Sequence, residues 1–410
     1  MKILHIEAYY NSNIGYQITY LARYQKELGH EVYVITSNKL FPGGKGWEYT
    51  FGPRITPVCC RVENKVITYR LHSVEIKLLV LLKGLSKLIS NLKPDVIHVH
   101  QIFWNPIAIQ VAMLKRRHKF KLIYDSHVSY LNTRLHGSLI KEIISLTCNL
   151  FLFPIIKREA DYITAVGEDE RETISQELRI PPEKIPIILL GTDTNFFKYD
   201  FNYRSDIRKK LGIKEEELVV LTVGKITEDK DYPTLIEAIS KVSNKINNIK
   251  LIFIGGGHPD YINRLRTMAR KYKLENKTIF LGAVDHKELP RYYSAVDVGV
   301  WTGGPTVCML EAISCSLPII IADNTSIGFK FNGLRLISKG NGFIFKRGDV
   351  EALSENIYMI LANEDLRNKM RNIAREVAAE RLDWKMLSNE YIKLYKRAIN
   401  GLRIDYEKYR

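Results

Sequence analysis

Short β-branched runs alternate with amphipathic stretches of helical period along almost the whole 410-residue chain, and no other feature restricts its fold as much. Such alternation is the pattern of βαβ units, in which helices join parallel strands and cover the faces of their sheet. A first series predicts strands at 2–7, 31–36, 96–100, 122–125, 162–166 and 185–189, with a helix over 16–28 closed by Gly29. A second predicts strands at 218–223, 250–254, 278–281, 296–301 and 318–322. Regular pattern lapses between them near 194–204, and a chain this long exceeds what one hydrophobic core usually serves. Two α/β domains are therefore expected, residues 1–198 and 199–384, with a C-terminal helix within 385–410 packing back on the first.

The formal net charge of +16 attracts polyanions, anionic lipid and acidic substrates alike, so it does not choose a partner. The densest basic run, Lys115 to Lys121, precedes a strand, at the sheet end away from the ligand crevice, and reads as a solvated corner. The five cysteines show neither C-x-x-C spacing nor histidines at zinc-ligand distances, which fits a reducing, cytoplasmic setting without a disulfide framework or bound metal. The start reads as a strand rather than a signal peptide, and the apolar stretch 143–156 is too short and polar to span a membrane. Residues 76–92 form a basic amphipathic stretch, and the first 130 residues hold 18 Lys+Arg against 8 Asp+Glu. Peripheral contact with the inner face of an anionic membrane follows as an expectation. The alternative is one core-facing stripe of Leu78, Leu79, Leu81, Leu82, Leu85 and Leu88.

Chemistry is expected at the C-terminal ends of the strands. Lys225 and Lys230 bracket the loop after the strand ending at Gly224, and two ammonium groups there suit a diphosphate. Gly255-Gly256-Gly257 ends the next strand, where missing side chains admit a ligand to the backbone or form a tight surface turn. The most informative segment is 298–322: a strand, then Thr302-Gly303-Gly304-Pro305-Thr306, a helix, and another strand. The amides of Thr306, Val307 and Cys308 open that helix and are expected to face an anion. Glu311 follows one turn later on an otherwise apolar helix, and a buried carboxylate needs donors that ribose hydroxyls would supply. In the first half, His98, His100 and Asp125-Ser126-His127 end strands, and Gly15 in 13–16 lies at the same edge.

At these positions the sequence resembles glycosyltransferase family 4, the retaining enzymes of GT-B fold, nearly end to end. Gly15 with Gly29-His30-Glu31-Val32 is similar to the acceptor loop and its "GHEV" step, and Pro94 to His100 to "PDVIHVH". Gly191-Thr192-Asp193 with Phe196 resembles "NGVD..F", Val223-Gly224-Lys225 with Lys230 the "VGR…K" loop, and Gly303 to Ala312 the "E-x7-E-A" segment. The resemblance implies two Rossmann-like domains facing across a cleft, with a nucleoside-diphosphate sugar as donor and no prosthetic group or metal. A sugar, lipid-linked glycan or small molecule would be the acceptor. It implies that Lys225 and Lys230, beside the helix start from Gly303 and Gly304 to Cys308, hold the diphosphate. Glu311 would hold the ribose, the Val284 backbone the base, His127 would lie near the transferring sugar, and Gly15 would abut diphosphate and acceptor. Three residues depart from the pattern: Lys225 replaces arginine, Tyr16 replaces the second glycine of the acceptor loop, and Gly303 replaces the first glutamate, leaving room for a bulkier sugar or a water. A nucleotide-sugar epimerase and a non-catalytic nucleotide-binding subunit are the other readings, and nothing recognisable as a nucleic-acid module is present.

Overall fold

A computed structural model describes residues 1–42, 48, 52–76, 79–103, 105–127, 152–304, 306–324, 334–337 and 339–409. Pro305, Leu78, Cys148 and most of the stretch 143–156 lie outside the described residues. The chain forms two compact units: Met1–Gly44, Pro53–Leu190 and Trp384–Arg410 in one, and Gly191–Asp383 as the body of the other.

The first unit is built on a seven-stranded sheet ordered β3-β4-β2-β1-β7-β8-β9. Its strands are β1 (Lys2–Glu7), β2 (Glu31–Ser37), β3 (Cys59–Glu63), β4 (Val66–Leu71), β7 (Val96–Val99), β8 (Lys121–Ser126) and β9 (Tyr162–Ala165). All neighbours are parallel except β3 and β4. Those two meet at Asn64-Lys65, both left-handed (φ 45° and 67°), as a two-residue hairpin requires. Central β7 and even the last strand in the order, β9, are buried along their length, the expected result when both faces of a parallel sheet are covered. The C-terminal helix Trp384–Ile399 covers part of one face beside helix Gln17–Glu27: Trp384 stacks on Tyr20, and the Gln17 amide donates to the Tyr391 hydroxyl at 3.0 Å.

The second unit has a six-stranded, wholly parallel sheet ordered β12-β11-β10-β13-β14-β15. Its strands are β10 (Leu218–Val223), β11 (Ile249–Ile254), β12 (Thr278–Gly282), β13 (Val298–Trp301), β14 (Ile319–Asp323) and β15 (Gly342–Lys346).

Two expectations are corrected. Residues 185–189 make one bridge, Ile187 to Ala165, after a 3-10 turn at Pro182–Lys184, because prolines at 181, 182 and 186 remove ladder donors. Residues 76–92 do not form one amphipathic helix. They divide between a hairpin, β5 (Ser73–Ile76) with β6 (Leu79–Leu82), and a helix, Leu85–Leu92, parted at Gly84 (φ +80°). The leucine stripe divides accordingly, Leu82 and Leu85 being buried and Leu79 and Leu81 exposed. The basic corner is ion-paired, with Lys115 on Asp161 at 2.5 Å and Arg116 on Glu159 at 3.1 Å.

Candidate active site

In the second unit the candidate residues gather where β10 and β13, neighbours in the sheet, release their loops. The Trp301 indole donates to the Val223 carbonyl at 2.9 Å, and the Thr302 hydroxyl to the Lys230 carbonyl at 2.5 Å. These bonds fasten the lysine loop to the glycine loop. Tyr232 tightens it further by donating to the Lys225 carbonyl at 2.9 Å. Lys225 is half-buried, and burial followed by the charge of Lys230 lowers its pKa to about 8.

Gly303 does not leave a vacancy. A Cβ there would lie 2.5 Å from Cδ and 2.6 Å from Cα of Lys230, so the space expected for a sugar substituent or a water is filled by the lysine. Gly304 is required on two grounds: its φ is +88°, and a Cβ would sit 2.0 Å from the Asn324 amide nitrogen. Thr306 is the N-cap of helix Val307–Ser314, and its amide faces the Met309 sulfur at 3.2 Å. Of the three amides expected to face an anion, those of Val307 and Cys308 therefore stand in the first turn, where a helix offers no internal acceptor. Burial, with the Glu311 charge next, raises the Cys308 thiol to about 12, so it is not a nucleophile at neutral pH.

Glu311 is buried, and its donors come from the protein itself. His286 Nε2 lies 2.6 Å from one carboxylate oxygen, and the Tyr293 hydroxyl donates to the other at 3.2 Å. Burial lowers the His286 pKa, but the Glu311 charge outweighs it and raises the group overall. Neither partner was singled out from the sequence; His286 stands two residues after Val284, which is partly exposed beyond the end of β12. Two glycines of the triplet are required by close backbone approach. A Cβ on Gly255 (φ +148°) would meet the Gly224 carbonyl oxygen at 1.7 Å, and one on Gly257 the Ile226 oxygen at 2.2 Å.

In the first unit, in-register pairing of β1 with β7 places His5 beside His98, with His100 two residues on along the same face. His5 Nδ1 and His100 Nε2 are 3.0 Å apart, His5 Nε2 lies 2.8 Å from the Gln25 amide, and His98 Nδ1 is 2.7 Å from the Tyr395 hydroxyl. Asp125 is the hub: His98, His100 and His127 lie within 3.2 Å of its carboxylate, and the Gln101 amide donates to it at 3.0 Å. These histidines hold Asp125 well below the usual carboxylate range despite its burial, while burial pushes His100 down to about 4. His5-His98-His100 and His100-Asp125-His127 each bring metal-ligand atom types within 4.8 Å, but protein partners already engage most of those atoms.

His127 is opposed by burial, yet Asp125, then Glu7 and Glu170, raise its pKa. Its Nε2 lies 3.2 Å from Asp125, and its Nδ1 lies 2.9 Å from the hydroxyl of Tyr16, the residue that departs from the acceptor-loop pattern. The Tyr16 hydroxyl on one nitrogen and the Asp125 carboxylate beside the other hold the ring in place and favour its protonated form. Gly15 is buried directly before Tyr16, which opens helix Gln17–Glu27. Burial above all raises Glu7 to about 8, a residue the sequence reading passed over because it closes an apolar strand.

Residues 14–196 match the family described as Glycosyltransferase Family 4, and residues 204–377 match Glycosyl transferases group 1. An uncharacterized glycosyltransferase of Methanocaldococcus jannaschii is 25% identical over 59% of this chain, and the match spans 61% of that relative. N-acetyl-alpha-D-glucosaminyl L-malate synthase of Bacillus anthracis is 24% identical over 92% of each chain. Alpha-monoglucosyldiacylglycerol synthase of Acholeplasma laidlawii is 26% identical over 83% of this chain and 82% of its own. Among solved structures, sucrose-phosphate synthase from Thermosynechococcus elongatus superposes with a TM-score of 0.73 at 18% identity, over 98% of this chain and 100% of that one. HepE of Anabaena in complex with UDP gives 0.72 at 17% identity, over 97% and 100%.

Proposed function

The chain belongs to glycosyltransferase family 4 and has the GT-B fold, and from that premise we propose that it moves a sugar, with retention, from a nucleoside-diphosphate sugar to an acceptor hydroxyl. The observation that carries the donor reading is the fastening of the Lys225–Lys230 loop to the loop that opens helix Val307–Ser314. Two ammonium groups and two first-turn amides at one sheet edge stabilise a leaving diphosphate by fixed charge, which is the largest contribution such a site makes. Glu311, held by His286 and Tyr293, retains lone pairs for ribose hydroxyls, and the Val284 backbone is assigned to the base. His127 would present its charge to the transferring sugar, the departing phosphate taking the acceptor's proton on the same face. HepE has been solved with UDP and with UDP-glucose, which supports a nucleotide-sugar donor for a chain of this fold.

A thermal-shift screen over nucleoside diphosphates and their sugars, followed by mass spectrometry of products formed with cell-extract acceptors, tests the proposal. One diphosphate should raise the melting temperature, and transfer should persist in excess EDTA. Binding without transfer to any acceptor would replace this reading with a nucleotide-binding subunit. Interconversion of free nucleotide sugars would replace it with an epimerase. Loss of transfer restored by magnesium or manganese would overturn the metal-free step.

A further inference from the structure

We propose that the β5–β6 hairpin docks the N-terminal unit on an anionic lipid bilayer through its outward face, formed by Val74, Ile76, Leu79 and Leu81. Cross-strand register pairs Val74 with Leu81 and Ile76 with Leu79, so the four side chains share one face, and they are 42%, 68%, 38% and 45% exposed in residue order. Antiparallel strands at a surface ordinarily turn polar residues outward, so an outward face that is wholly apolar marks a contact surface.

The opposite face shows why the hairpin cannot roll over to hide these residues. Val80 and Leu82 are buried, and the Gln110 side chain brackets Leu82, accepting from its amide at 3.2 Å and donating to its carbonyl at 2.7 Å. Glu75 accepts from the Tyr9 hydroxyl at 2.7 Å, pairs with Lys39 at 2.8 Å and is gripped by Arg54. A slip of one residue would put Glu75 outward and break all three contacts.

Charge selects the occupant. Beyond the hairpin come Lys83, Lys87 and Lys93, all exposed, and between residues 71 and 94 the only acid is Glu75, already paired. Exposed lysines that directly follow an apolar face complement anionic headgroups over an acyl boundary, with the apolar side chains entering and the lysines at the phosphates. Such lysines disfavour a second copy of the same surface, and four partly exposed side chains fall far short of the roughly 800 Å² per partner of a stable protein interface. The inference goes beyond the donor reading and does not depend on it.

The test is co-sedimentation with vesicles of phosphatidylcholine alone and with about 30 mol % phosphatidylglycerol, at low and high salt. Wild type should bind the anionic vesicles and release with salt. Ile76→Asp with Leu81→Asp should weaken binding about tenfold or more, and Lys83→Glu with Lys87→Glu comparably, while melting temperature and any nucleotide-induced shift stay unchanged. Should the aspartate pair lower the melting temperature, Leu81→Ser serves instead, with a smaller loss expected. Absence of wild-type binding at low salt, or equal binding by the variants, overturns the proposal. So does a lipid-free dimer in sedimentation velocity that the Ile76→Asp, Leu81→Asp variant dissociates, because the face would then cover a second copy.

Discussion

Lys225 stands half-buried beside a second ammonium, and both circumstances disfavour its proton, bringing its pKa to about 8. If the protonated form holds the diphosphate, affinity is full below that value and declines as pH rises through it, by up to about tenfold per unit for one linked proton. Calorimetric titration of the nucleoside diphosphate between about pH 7 and 9.5 should show this decline, and Lys225→Arg should flatten it because guanidinium keeps its charge throughout. An equally steep decline in the arginine variant would take Lys225 away from the phosphates. Gly303 yields a second prediction. Glutamate there must push a Cβ into the Lys230 backbone, so Gly303→Glu should weaken diphosphate binding by about tenfold, and destabilise by about 1–3 kcal/mol, as overpacking does. Normal affinity with an altered sugar preference would mean that the site has room after all. The lysines, the helix start and Glu311 were legible because strand ends and a helix opening are local signals. The contents of the space beside Gly303 and the partners of Glu311 were not, since Lys230, His286 and Tyr293 arrive from separate segments that only packing brings together.

Three strands are anchored by one device. Asp95, Asp161 and Asp297 stand directly before β7, at the residue before β9 and directly before β13, and each exchanges two bonds with the first or second residue of a neighbouring strand. Their amides donate to the carbonyls of Lys2, Leu122 and Val219, while their carboxylates accept from the amides of the same residues at 2.7, 2.7 and 2.8 Å. A strand pinned at its start delivers its far end in register, which is how His98 comes to lie beside His5. The three anchors should differ in energetic weight. Asp297 is buried and also pairs with Arg204, Arg208 and Arg371, so Asp297→Ala strands a buried guanidinium and should destabilise by about 3–5 kcal/mol in urea unfolding. Asp95→Ala removes a bond at an exposed strand start and should lose about 1 kcal/mol. Similar losses from both would mean that the arginines are indifferent to Asp297. At this scale the sequence was readable where β-branched runs are buried on both faces. It misled at 76–92, where every residue of Leu79–Leu82 is apolar and neither a period of 2 nor one of 3.6 can be distinguished.

The two units are unequal in their dependence on the rest of the chain. Gly191–Asp383 is continuous in its body and closes on itself through the bridge of Thr192 with Asp383. The other unit is split, and its core includes Trp384, Leu387, Tyr391 and Tyr395 packed with Ile3, Ile18, Tyr20, Val34 and Val96. A fragment of residues 191–383 should therefore unfold cooperatively and retain diphosphate binding, whereas residues 1–190 alone should lack a cooperative transition by circular dichroism. A sharp transition in the latter would make the returning helix an accessory. Adding residues 384–410 as a separate peptide should restore it in part. The same split has a meaning for the nascent chain. Residues 384–399 reach the ribosome exit only after the whole of 191–383 has been made, so at about 5–20 residues per second the N-terminal sheet waits roughly 10–40 s with part of one face uncovered. Throughout that interval Ile18, Tyr20 and Tyr24 of helix Gln17–Glu27 are open to other chains, and the growing polypeptide carries an uncovered apolar surface until helix Trp384–Ile399 arrives.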